Sequence, residues 1–171
     1  MKRSLLLFII VITALLSGCG QQSNSHTLEE LEEEYPSLKK QLSTLTEEER
    51  ERVKIPDYIP FHVTNVEAVV SPDEKDSIVE LVFTNGTLNL HVMIMEGNND
   101  VYQHQKQTVE LANGGKANYS INEFGKKLYW SDKQTNGTYI IKLMSFTPEN
   151  KMNYTKNDVV HIANSMYPSI S

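Results

Sequence analysis

Phe83-Thr84-Asn85-Gly86-Thr87-Leu88-Asn89-Leu90-His91-Val92-Met93-Ile94-Met95 is the stretch that decides the fold. Leu88, Leu90, Val92 and Ile94 alternate with Asn89, His91, Met93 and Met95, the period at which a strand sends successive side chains to opposite faces. Asn85-Gly86 is a hairpin turn signal, and residues 78–84 supply the strand before it. The pattern describes an antiparallel pair with one buried face. On the N-terminal side, residues 63–70 are rich in β-branched side chains and stop at Ser71-Pro72-Asp73. On the C-terminal side, further strands are expected at 105–111, 117–121, 126–131 and 138–146, with Asn113-Gly114-Gly115 and Asn136-Gly137 as turns. The sheet reads as an antiparallel meander.

A helix is expected to cover it. Thr155-Lys156-Asn157-Asp158 has a capping pattern, and Val159, Ile162, Ala163 and Met166 then share one helical face before Pro168. A sheet with one apolar face and a helix to bury it against is a two-layer α+β solution. Upstream, Leu28, Leu31, Tyr35, Leu38, Leu42 and Leu45 recur at spacings of three and four, as on a helix with a narrow apolar stripe. Thr27-Leu28-Glu29-Glu30 caps its start, and Pro36 divides it, because an internal proline removes a donor and clashes with the preceding turn. Thr46-Glu47-Glu48-Glu49 opens a third short turn. Residues 27–52 hold nine acids against four bases. Residues 27–54 therefore read as an acidic helical arm, which either lays its leucines on the domain or binds a partner. Two prolines in Ile55-Pro56-Asp57-Tyr58-Ile59-Pro60-Phe61 favour extended chain, so the boundary of a domain over 55–171 is placed there.

The N-terminus carries Lys2 and Arg3, then an uncharged, mostly apolar run over residues 5–16. That is a signal-peptide layout. The run is too short to span a bilayer, which needs about 20 apolar residues. Leu16, Ser17, Gly18 and Cys19 resemble the lipobox of bacterial lipoproteins position by position. The resemblance implies a diacylglyceryl thioether on Cys19, cleavage after Gly18, and Cys19 as the new N-terminus of a protein tethered to the outer side of the cell membrane. Residues 1–18 are then signal, and 19–26 a short polar tether.

After cleavage 14 basic and 22 acidic residues remain, a net charge of −8. Nucleic acid is not expected as a partner, since phosphate binding needs a basic face. Cys19 is the only cysteine, so no disulfide can form within the chain.

The order of features from residue 55 to 166 resembles a domain of unknown function found in Gram-positive bacteria, on lipoproteins and on outward-facing parts of membrane proteins related to anti-sigma factors. The residues that carry it are the extended entry at 55–61, Leu128-Tyr129-Trp130, Gly137-Thr138-Tyr139, and Ile162-Ala163-Asn164-Ser165-Met166. It implies an α+β fold and a surface location, and it brings no catalytic residues.

No nucleophile elbow, zinc-protease motif or phosphate-cradling loop occurs in the chain. His91, Met93 and Met95 would share one strand face. Imidazole with two thioethers suits a soft metal such as Cu(I), whereas methionine in a strand also serves as ordinary packing. We take these three residues as a candidate binding face, with no metal and no cofactor. The expected function is a binding or interaction module held at the cell envelope, with an envelope protein as partner and the membrane engaged through Cys19. The alternatives are an accessory lipoprotein without a specific ligand and an envelope enzyme.

Overall fold

The computed structural model describes residues 26–72, 77–97, 107–145 and 154–167. Cys19 and its lipobox residues Leu16, Ser17 and Gly18 lie outside the described residues. Three short helices come first: α1 (Leu28–Glu34), α2 (Pro36–Leu42) and α3 (Glu47–Glu51). Seven strands follow, β1 (Asn65–Pro72), β2 (Ser77–Thr84), β3 (Leu88–Glu96), β4 (Gln107–Glu110), β5 (Lys116–Asn122), β6 (Gly125–Asp132) and β7 (Gly137–Ser145), and then α4 (Lys156–Ser165). The protein is α+β: one open antiparallel sheet packed by a C-terminal helix, with helices at its N-terminal side.

The helix ends obey the capping chemistry in the sequence. Thr27, Thr46 and Thr155 each accept from the backbone N–H three residues on, and Glu30, Glu49 and Asp158 return a carboxylate to the cap backbone. Pro36 falls at the start of α2, where a missing N–H costs nothing. At Asn85-Gly86 the hairpin is closed by the Asn85 N–H donating to the Leu88 carbonyl at 3.2 Å, leaving Gly86 and Thr87 as the bend. Gly86 alone has positive φ, and the Asn85 side chain accepts from the N–H groups of Thr87 and Leu88.

The sheet order is β1-β2-β3-β7-β6-β5-β4. Two meanders, β1-β2-β3 and β4-β5-β6-β7, are joined where β3 pairs with β7. Leu90 and Val92 face the same way as Leu143 and Ile141 opposite them, and all four belong to one continuous core. That core takes in Leu31, Leu38 and Leu42 from the arm and Val159, Ile162, Ala163 and Met166 from the C-terminal helix region. α2 packs on β1, and α4 packs on β6 and β7. Both helical layers therefore cover the same face. The leucines of the arm do lie on the domain, and on its core face: Leu38 and Leu42 are fully buried there and not on the face bearing Met93 and Met95.

The entry segment crosses α4 like a strap. The N–H groups of Asp57 and Tyr58 donate to the backbone and hydroxyl oxygens of Ser165, Tyr58 stacks on His161 at 4.0 Å, and Tyr154 donates to the Pro60 carbonyl.

Candidate functional site

On the sheet face opposite the helices, the register sets side chains in rows. One row runs Glu80, Met93, Ile140, Tyr129 and Asn118 across β2, β3, β7, β6 and β5. The next runs Val82, His91, Lys142 and Lys127, and a third sets Met95 beside Thr138 and Ser131. The structure thus gathers His91, Met93 and Met95 on one face, as strand alternation requires, with each of them half-buried.

Sequence reading missed two members of this face. Ile140 is 1% exposed and Tyr129 is likewise buried, although both point away from the main core. The run Tyr139-Ile140-Ile141 is apolar at consecutive positions, which is the mark of a strand buried on both faces; that signal was present and outweighed by the cleaner alternation on β3.

The polar groups of the face are organised. His91 Nδ1 lies 2.8 Å from Glu80 Oε1. With Nδ1 donating to that carboxylate, the lone pair of a neutral imidazole sits on Nε2, which is buried without a hydrogen-bond partner. Burial, with the charge of neighbouring Lys142 added, pulls the Lys127 ammonium below its ordinary range. An apolar row that ends in a carboxylate, beside a row of imidazole and ammonium groups, can bind; among the described residues no hydroxyl is hydrogen-bonded to the His91 ring.

A second polar cluster ties arm to sheet. Arg52 reaches Glu96 at 2.9 Å and Lys54 reaches Asp132 at 3.1 Å. Lys54 Nζ also lies 4.1 Å above the Tyr167 ring, and the Trp130 indole donates to the Tyr167 hydroxyl at 2.7 Å. Burial alone would raise the Asp132 carboxyl; the Gln134 N–H and the Lys54 ammonium outweigh it, leaving a net lowering. Burial pushes the Tyr167 hydroxyl up. Trp130 is accordingly core with one satisfied N–H, and not a stacking platform open to ligand.

A cleft of about 310 Å³ lies between arm and entry segment, bordered by His26, Glu34, Tyr35, Ile59, His62 and Phe83. Its two histidines and one carboxylate do not converge: among the described residues no group of three His, Cys, Asp or Glu could hold a metal ion. Among them, too, no helix is long and apolar enough to cross a membrane. No protein-family model, curated protein or solved structure matches the chain.

Proposed function

We propose that the protein is a membrane-anchored extracytoplasmic lipoprotein, held through Cys19, that acts as a binding or interaction module by non-covalent recognition at the face of His91, Met93 and Met95. One observation carries this reading. The helices that pack on the sheet do so on the core face, while the other face bears the Met93-Ile140-Tyr129 row beside His91 and Glu80. Ile140 and Tyr129 are already buried, so recognition falls to the half-buried edge of the row, where a partner reaches Met93, Met95 and the polar groups of His91 and Glu80. The lipobox resemblance at Leu16-Ser17-Gly18-Cys19, and the likeness of residues 55–166 to an extracytoplasmic domain, support the location.

Two variants test the two halves of the proposal. Cys19→Ser should move the protein from the detergent-rich to the aqueous phase in detergent phase partitioning; retention at the wild-type level sinks the anchor. Met93→Glu with Met95→Glu should abolish crosslinks to envelope proteins in intact cells while thermal unfolding stays cooperative. If every crosslink survives in a folded double variant, recognition does not occur on this face.

A further inference from the structure

The β5–β6 turn carries an oddity. Among the described residues the exposed large hydrophobics are Val69, Ile121 and Phe124, and the last two, 65% and 62% exposed, share this turn. Asn122 pairs with Gly125, so only Glu123 and Phe124 make the bend. The Asn122 side-chain oxygen accepts from the N–H groups of Phe124 and Gly125, both at 3.0 Å. The chain is also pressed against β7, where a Cβ on Gly125 would come within 2.2 Å of the Leu143 carbonyl oxygen. Tight hairpin bends favour Gly, Asn and Asp. The side-chain bonds of Asn122 shape this one, and Phe124 packs nowhere in the core. The fold thus leaves an aromatic exposed at a tip that side-chain hydrogen bonds shape.

The position of the tip is informative. The start of β1, the β2–β3 turn, the β5–β6 turn and the end of β7 all fall at one end of the sheet, as the pairs Asn65–Thr84, Thr84–Asn89, Asn89–Met144 and Met144–Gly125 show. His26 borders the cleft with Val63, Val66 and Phe83, near that same end. From His26 back to Cys19 is seven residues, a reach of about 24 Å when extended. The tip lies between the fifth and sixth strands from β1, about 22 Å away at the usual strand spacing. An anchor on Cys19 therefore allows this end of the sheet to meet the bilayer, with the tip within reach of it. The segment 121–127 carries Lys126 and Lys127 against Glu123, a local excess of one positive charge in an acidic chain, and Lys142 stands beside Lys127.

We infer that the β5–β6 tip is a second membrane contact: Phe124 and Ile121 enter the interfacial layer of the bilayer, with Lys126 and Lys127 at the level of the lipid phosphates. This rests on the lipid-anchor reading above. The anchor supplies retention, and the tip fixes orientation, since a few apolar side chains in the interface add only modest affinity. The domain then stands on this end, with the Asp132 and Trp130 end of β6 held roughly 25 Å above it at about 3.3 Å per residue.

The test uses full-length lipidated protein in phosphatidylcholine–phosphatidylglycerol vesicles carrying brominated acyl chains. Wild type has one tryptophan, Trp130, which is buried at the far end and should not be quenched. Phe124→Trp should add emission that the brominated lipid quenches, as for a ring buried in the interfacial layer. Lys133→Trp, on the exposed turn at the opposite end, should add emission that is not quenched. Flotation of the same samples reports the anchor independently. Protein that floats with Phe124→Trp unquenched, or with both variants equally quenched, overturns the membrane-contacting tip and leaves the anchor standing. Protein that fails to float overturns both. A shift of the Phe124→Trp emission that follows protein concentration without lipid overturns it too, because the tip would then be meeting a second copy.

Discussion

The two faces of the sheet are made by the same strands and behave differently. On β3, Leu88, Leu90, Val92 and Ile94 are buried, while the alternating Asn89, His91, Met93 and Met95 are half-exposed. One face is covered by α2 and α4 and is continuous with the leucines of the arm; the other holds a short apolar row bounded by His91, Glu80, Lys142 and Lys127. The difference teaches that apolar content alone does not identify a core. What identifies it is whether another element's apolar stripe lies against it. Deletions of similar size on the two faces should then separate widely. Leu90→Ala should cost about 2–5 kcal/mol, the range for emptying a fully buried leucine site. Met93→Ala, half-buried, should cost about 1 kcal/mol or less. Urea unfolding checks both, and equal losses would make the outer face a second core.

Charges sharpen the same contrast at smaller cost. Lys54 is mostly buried against the face of the Tyr167 ring, and its carboxylate partner Asp132 is buried as well. Asp132→Ala should cost about 1–3 kcal/mol, because it leaves a poorly solvated ammonium and the Gln134 N–H without their acceptor. On the other face Glu80 is more exposed than Asp132. Removing it should cost less than removing Asp132, about 1 kcal/mol, because this part-buried pair keeps more solvent access. If Glu80→Ala proved the more damaging change in chemical denaturation, the outer face would carry a structural network of its own.

Much of the covered face was legible in the sequence, because its signals are local. The alternation around Leu90, the threefold recurrence of Thr with a carboxylate three residues later, and the leucine spacing over 28–45 each depend on neighbours within a few positions. What stayed hidden is non-local. Pairing of β3 with β7 cannot be read from either strand, since Val92 meets Ile141 only through the order in which two meanders dock. Lys54 and Asp132 stand 78 positions apart and each alone reads as solvated surface. The row that sets Ile140 between Met93 and Tyr129 is likewise made by three strands distant in the sequence. Exposure of Phe124 was equally unreadable, because an aromatic in a strand-rich stretch is normally core.

The smallest expected effect concerns the clamp that holds the arm over the covered face. The Glu49 carboxylate accepts from the Thr46 backbone N–H at 2.7 Å and from its hydroxyl at 2.8 Å, and it also bonds Ser77 at the start of β2. The Thr46 backbone bond is the largest cause, followed by the Ser77 and Thr46 hydroxyls, of a pKa lowered from 4.5 to about 2. A carboxyl whose pKa is depressed in the fold binds protons more readily when the chain unfolds, so its contribution is fully present above pH 4.5 and is lost as pH falls toward 2. Solvent screens this largely exposed group, so the effect is a modest loosening of α3 against β2 and not global unfolding. Hydrogen exchange of the α3 amides in wild type and Glu49→Gln should differ at pH 6, with the variant exchanging faster once intrinsic rates are divided out. The two should converge as pH is lowered from 4.5 toward 2. A difference that persisted unchanged at the acid end would mean that the side chain's shape, and not its charge, holds the arm to the sheet.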